Sequence, residues 1–444
     1  MLFRSFIISG ERFIYGERGN FYTLEDLLQH KEIDASCVNI EQLQRIIIPI
    51  ISKSTCLHTL NLSFIQGSNY GEAHQINKLK AAIEAIPSTT TICFLNLSGN
   101  FLCANAENIA RSIASLPITK LNFSGNCLFK EIGKNVASAL AASSSIKDLD
   151  LSNNNLDENA AEVVKLLISS PSLPLETLNL SRNHLGKNSI KVAEKLSKSS
   201  TLKSLDLSGT NLTEHAIDVV RILKSSESLH LEILNLSNNK LASNAIHVAG
   251  IFSDYNDMKG LDLSYNDISG AELIEVARAL SGHKNLQSLN LSYNHTEDSR
   301  LEVATILARC KTLHTVISHD DLGELFIQKV IESGDQAHIA LILDNYEGSD
   351  NASFLLKALY TKYSPHLDHT EEEASSAAGA GTSTKVELTS QLYNSIGKYC
   401  AKFSLEYHPL GVVGYKPLAS DSDPEHAVEL AFGDIAHVIG EASD

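Results

Sequence analysis

Tryptophan is absent from the 444 residues, and aromatic side chains make up only 6% of them. A core without large rings must be aliphatic, which suits thin, regular packing layers better than a large enzyme interior. Apolar residues as a whole reach 43%, enough for a sizeable core and too many for a disordered chain. Basic residues are in deficit: 36 Lys and Arg face 53 Asp and Glu, a formal net charge of −17. Such a chain repels phosphate backbones and anionic headgroups, so no nucleic acid and no membrane insertion is expected. Long apolar runs are also missing. Phe6 to Ile8 is too short for the core of a signal peptide, and no stretch reaches bilayer length. The seven cysteines, at 37, 56, 93, 103, 127, 310 and 400, form no CxxC pair and no zinc spacing. They read as small buried apolar residues in a reducing compartment. Nine Asn-x-Ser/Thr sequons occur, most of them at one recurring position. Glycans there would bury the most regular face of the molecule, which again points to the cytosol.

What the chain has in abundance is self-similarity. The pattern LxxLxLSxN occurs as ICFLNLSGN, ITKLNFSGN, IKDLDLSNN, LETLNLSRN, LKSLDLSGT, LEILNLSNN, MKGLDLSYN and LQSLNLSYN. The looser LHTLNLSFI opens the series and LHTVISHDD closes it. The central Leu falls at 60, 95, 121, 149, 178, 205, 234, 261 and 289, with Val316 last, at intervals of 26 to 29 residues from Leu95 on. Each LxxLxL predicts a short parallel strand. Its first, fourth and sixth residues point into a core, and the residues flanking the central Leu face outward. The Asn three places after the last Leu stands where the chain turns away, and its amide is expected to satisfy backbone groups the turn leaves unpaired. That series is Asn100, Asn126, Asn154, Asn183, Thr210, Asn239, Asn266 and Asn294, and its expected role is structural. Between strands the apolar period becomes helical, as in Ala160–Val163–Val164–Leu167, Ala216–Val219–Val220–Leu223 and Ala271–Ile274–Ala277–Leu280.

A strand–helix unit of about 28 residues resembles the ribonuclease-inhibitor-like class of leucine-rich repeats, over roughly residues 50–320. The resemblance implies an α/β solenoid, a horseshoe with parallel strands on the concave face and helices on the convex face. It says little about function, because the class hosts inhibitors, GTPase activators and immune sensors.

A double period lies inside the single one. Asp stands after the central Leu at 150, 206 and 262, and Asn stands between them at 179, 235 and 290. Two places before the central Leu, Lys147, Glu176, Lys203, Glu232, Lys259 and Gln287 alternate as well. Adjacent Asp residues would repel at the strand spacing of about 4.8 Å. Alternation spreads them to about 10 Å, near one Debye length at moderate salt. The Lys/Glu row places opposite charges on adjacent strands. The pattern serves solubility and register, or else forms an acidic comb for a basic partner.

A uniform polar floor is soluble but not specific, so specificity falls to residues that break the pattern. The residue after the recurring Ser reads Phe64, Gly99, Gly125, Asn153, Arg182, Gly209, Asn238, Tyr265 and Tyr293. Tyr and Arg are enriched in interface hot spots. Arg182, Tyr265 and Tyr293, with Asp206 and Asp262 from the floor, are therefore the candidate partner-binding residues, and the two Tyr are expected to be neighbours. Phe94 and Ile233 are apolar at places that are otherwise polar. No catalytic constellation, metal site or cofactor is expected: His184, His215, His230, His247 and His283 are scattered, and no glycine cluster forms a phosphate loop.

A solenoid needs caps. Residues 1–50 are the expected N-terminal cap, with Leu43, Ile46 and Ile47 at helical spacing and Pro49 ending that helix. The solenoid is expected over 51–320, a helical cap over 321–370, a polar linker over 371–385 and a helical region over 386–444. In the last, Leu388, Leu392, Ile396, Tyr399 and Phe403 mark an amphipathic helix, and Asp423 with Pro424 opens another. Residues 371–444 hold 12 acidic and 4 basic side chains. Cys400, His408 and Asp421 have the residue types of a nucleophile, base and acid, but the segment is short and no motif surrounds the Cys, so no enzyme is expected. His366 and His369 flank Asp368, too few ligands for a metal site.

The Asn-Leu-Ser-rich copies and the missing signal peptide resemble the leucine-rich-repeat effectors that intracellular bacterial pathogens deliver into host cells. In that family a solenoid commonly joins a short C-terminal region carrying the secretion signal. The resemblance implies a module that binds an unidentified host protein through the concave face, in the cytosol, after secretion into the host cell. Two alternatives stay open: a regulator of a small GTPase, with Arg182 as the Arg beside a strand, and enzyme activity in the C-terminal region.

Overall fold

The computed structural model describes residues 4–8, 11–15, 21–22, 28–38, 43–65, 73–296, 298–346, 358–359, 362, 389–402, 405–406 and 414–415. The expected linker at 371–385, the helix opened by Asp423, and His366, Asp368, His369, His408 and Asp421 lie outside them. The chain divides into two compact units, Met1–Asp267 and Ile268–Asp444.

In the first unit, β1 (Arg4–Ile8), β2 (Glu11–Tyr15) and β3 (Phe21–Tyr22) pair antiparallel. The parallel strands then follow in chain order: β4 (Glu32–Asp34), β5 (Thr59–Asn61), β6 (Phe94–Asn96), β7 (Lys120–Asn122), β8 (Asp148–Asp150), β9 (Thr177–Asn179), β10 (Ser204–Asp206), β11 (Ile233–Asn235) and β12 (Gly260–Asp262). Their register sets each central Leu beside the next, as in Leu149↔Leu178, Leu178↔Leu205 and Leu205↔Leu234. Strand β4 lies upstream of residue 51, where the repeats were expected to begin. Its core residues are Ile33 and Ala35, which hides it from a search for Leu.

The strands alternate with α1 (Ile48–Lys53), α2 (Ala73–Glu84), α3 (Ala106–Ala114), α4 (Glu131–Leu140), α5 (Ala160–Ile168), α6 (Asn188–Leu196), α7 (Ala216–Lys224) and α8 (Asn244–Phe252). Each buries the aliphatic stripe its spacing predicts, such as Ala160, Val163, Val164 and Leu167 in α5. Tight 3-10 turns at Cys103–Asn105, Asp157–Asn159 and Thr213–His215 precede every second helix from α3 to α7, so the double period has a backbone counterpart. Pro49 begins a helix instead of ending one. A π-helical turn at Leu43–Ile47 runs into α1, and in that helix's first turn the missing proline N–H is not needed. Strand, turn and helix together make an α/β leucine-rich-repeat solenoid.

The second unit holds α9 (Gly270–Leu280), β13 (Ser288–Asn290), α10 (Arg300–Leu307), β14 (Thr315–Ile317), α11 (Leu322–Ser333), α12 (Gln336–Asn345), α13 (Ser390–Lys402), β15 (Leu405–Glu406) and β16 (Gly414–Tyr415). Strands β13 and β14 pair in parallel with Leu289 beside Val316. Helix α9 corrects the expected stripe: it buries Leu273, Val276, Ala277 and Leu280, not Ala271 and Ile274. A capping box of Ser269 and Glu272 fixes where this helix starts and hence which face turns inward. Helix α13 buries Leu392, Ile396 and Tyr399, and the Tyr399 ring lies 5.8 Å from that of Tyr346.

Candidate protein-binding face

The most regular polar row is internal. Asn183 shows the rule. Its Nδ2 donates to the carbonyls of Leu151 and Leu180, both at 2.9 Å, and its Oδ1 accepts from the N–H groups of Asn154 at 3.0 Å and Leu156 at 3.2 Å. Asn126, Asn154 and Asn239 repeat the pattern, each tying its own turn to the preceding one. Thr210 keeps half of it: its hydroxyl donates to Leu207 O at 2.6 Å. All of these residues are 0% exposed, so none can meet a partner.

On the open face of the sheet, the Asn or Asp after each central Leu is held by its own turn. Oδ1 accepts from the N–H of the Ser two places on, at 2.9 Å for Asn179, 2.7 Å for Asp206 and 2.8 Å for Asp262. Alternation has a physical basis here. Asn235 Nδ2 donates to Asp206 Oδ2 at 3.0 Å, and Asn61 Nδ2 to Asp34 at 2.9 Å, so an amide donor stands beside a carboxylate.

The next residue along, after the recurring Ser, has positive φ in these repeats, from +51° at Phe64 to +68° at Gly99. Gly and Asn take this conformation cheaply, but Phe64, Arg182 and Tyr265, and Tyr293 in the second unit, hold it at a cost of about 1–2 kcal/mol each. A Cβ on Gly99 would lie 2.2 Å from the Phe64 ring, and one on Gly209 would lie 3.3 Å from Arg182 Cγ. A bulky side chain in one repeat thus leans over the glycine of the next. The exposed Arg182 guanidinium makes no ion pair or hydrogen bond among the described residues. Tyr265 and Tyr293 are about half exposed. Tyr293 stacks on His319 with centroids 4.8 Å apart, and its N–H donates to His319 Nδ1 at 2.8 Å. Tyr265 belongs to the first unit and Tyr293 to the second.

Across β6 to β10 the open face holds a groove of about 280 Å³ lined by Phe94, Lys120, Asp148, Asp150, Asn179 and Asp206, among others. Register builds it, since Phe94, Lys120 and Asp148 are side by side on adjacent strands. Lys120 Nζ lies 5.5 Å from the Phe94 ring centroid and 2.8 Å from Asp148. Burial, and then the charges of Asp206 and Asp148, raise Asp150 above the usual carboxylate range, against two hydrogen bonds from Ser152 that lower it. Of the predicted residues only Asp206 lines this groove. Sequence reasoning singled out Phe94 but missed Lys120, Asp148 and Asp150 as a group. The available signal was charge at the place before the central Leu in two successive repeats, Lys120 and Asp148. At one border runs the expected charge ladder, Lys147 to Glu176 at 3.0 Å, Glu176 to Lys203 at 2.9 Å and Glu232 to Lys259 at 2.8 Å. Hydrogen bonds from Lys203 and Lys147 hold Glu176 below its usual range.

A leucine-rich-repeat family model matches residues 198–214. No curated protein matches the chain. Among solved structures, the chain is similar to the leucine-rich-repeat-containing protein LegL7 from Legionella pneumophila, at 22% identity over 68% of this chain and 98% of that one, with a TM-score of 0.48. It is also similar to actin-binding site 2 of leiomodin-1, at 15% identity over 35% of this chain and 88% of that one, with a TM-score of 0.27. Among the described residues no helix is long and apolar enough to cross a membrane.

Proposed function

We propose that the chain is a protein-interaction module whose open sheet face takes a basic segment of a partner protein. The observation that carries the reading is the groove over β6 to β10. Lys120 is already paired with Asp148, so Asp150 and Asp206 are left as the carboxylates that a partner cation would meet. Asp150 is partly desolvated and presses against like charge, a state that an incoming Arg or Lys relieves. Asp206 in the groove, Arg182, Asp262 and Tyr265 elsewhere in the first unit, and Tyr293 in the second are the proposed contact residues. The exposure and backbone strain of Arg182 and the two Tyr support that role. The Asn-Leu-Ser repeat style and the acidic C-terminal stretch support a bacterial effector acting on a host protein in the host cytosol.

Fluorescence anisotropy with an Arg-rich and a Glu-rich peptide tests the reading. The Arg-rich peptide should bind the full chain, more weakly as salt rises, and Asp150→Asn with Asp206→Asn should abolish that preference. Equal binding of both peptides would sink it. Asp150→Asn alone keeps the acceptor for Ser152, and it should not lower stability. A carboxylate raised on folding binds its proton more tightly in the native state, so it weakens the fold as pH rises through its window, and the amide removes that cost. The unengaged Arg182 guanidinium favours a second reading, a small-GTPase regulator. Unchanged nucleotide hydrolysis across a GTPase panel would remove it.

A further inference from the structure

We propose that Cys103 and Cys127 form a dithiol site that closes into an intramolecular disulfide on meeting a small disulfide oxidant. The pairing comes from the repeat itself. The third residue after a ladder position donates its N–H to the carbonyl of the next ladder residue. Cys103 donates to Asn126 at 3.0 Å, Gly186 to Thr210 at 3.0 Å, Thr213 to Asn239 at 3.1 Å and Ala242 to Asn266 at 2.9 Å. That bond sets the donor beside the residue that follows the acceptor. The facing pairs are therefore Cys103 with Cys127, Gly186 with Asn211, Thr213 with Lys240 and Ala242 with Asp267, all at positive φ. One step of the solenoid fills this recurring geometry with two thiols. Both are free thiols and partly accessible. The sequence alone, with no CxxC, reads these cysteines as inert fillers.

Burial and then the neighbouring thiol push the Cys127 thiol above its usual range, and we assign the first attack to Cys103. The Cys103 thiolate attacks one sulfur of a disulfide such as oxidised glutathione, and one glutathione leaves as thiolate. The Cys127 proton passes to solvent base, and its sulfur then displaces the second glutathione from Cys103. Two protein S–H groups become one S–S bond, and two electrons reduce one glutathione disulfide to two thiols. Closure ties the loop bearing exposed Phe101 to the loop bearing exposed Phe129.

The test treats the full chain with oxidised glutathione, alkylates the remaining thiols, digests and maps by mass spectrometry. The expected result is loss of both thiols with no retained glutathione and a cross-linked Cys103–Cys127 peptide. Cys127→Ser should trap a stable glutathione adduct on Cys103. Stable adducts on both cysteines of the unaltered chain, cross-links to other cysteines instead, or no loss of these two thiols would overturn the assignment.

Discussion

Arg182 and Asn183 are consecutive in the chain and stand for two rows with opposite behaviour. Asn183 is 0% exposed and ties four backbone groups of two successive turns. Arg182 is exposed, strained at φ +56°, and its guanidinium is unengaged among the described residues. The Asn row repeats because every copy must satisfy the same carbonyls. The row before it varies because the turn asks only for positive φ, which Gly and Asn supply cheaply and Arg or Tyr supply at a cost. In this solenoid, regularity marks what joins one repeat to the next. Departure from it marks where we propose a partner is recognised.

The sharpest contrast is between the layer under the sheet and the face above it. Leu234→Ala removes a core side chain that is 0% exposed. It should cost about 2–5 kcal/mol in urea denaturation, because flanking repeats cannot collapse into the gap. A loss below about 1 kcal/mol would contradict the register. Next in size is Asn183→Ala, which strands the Leu180 carbonyl and the N–H groups of Asn154 and Leu156. At about 1–3 kcal/mol for each buried group left unsatisfied, the loss should exceed about 2 kcal/mol. One residue away, Arg182→Gly should have the opposite sign. Relief of the left-handed backbone should raise stability by up to about 1 kcal/mol, partly offset by the freedom glycine gives the unfolded chain. If Arg182→Gly destabilised as much as Asn183→Ala, the two rows would not differ as described.

The legible part of this architecture was the part written in Leu. Strand register followed from LxxLxL because period two and a single apolar face leave no other pairing. Strand β4 escaped because Ile33 and Ala35 pack where Leu usually does. The face of α9 was misjudged because its start depends on a bond between Ser269 and Glu272 rather than on apolar spacing. The positive φ at Arg182 had a signal that was not used: Gly99, Gly125, Asn153, Gly209 and Asn238 share its place in the repeat, and these are the residue types that tolerate it. The groove and the thiol pair were harder. Both depend on which residues of adjacent repeats face each other, and that follows from strand register and turn geometry rather than from any local motif.

The smallest expected effect is the most diagnostic of what the outer face is for. Glu176 bonds both Lys147 and Lys203, and the contacts look like a bolt across three strands. Yet all three side chains are solvated, so salt screens them and side-chain entropy offsets the gain. Glu176→Gln should leave the urea midpoint unchanged at moderate salt and lower it only at low ionic strength. The sign with pH is fixed. A carboxylate held below its usual range on folding stabilises above the unfolded value and loses that contribution as pH falls through the lowered one. Any gap between Glu176→Gln and the unaltered chain should therefore be present at neutral pH and vanish in acid. A large loss that persists in high salt would place the charge ladder with the Asn row as a structural element. The division between a bonded interior and an adaptable face would then have to be redrawn at the edge of the sheet.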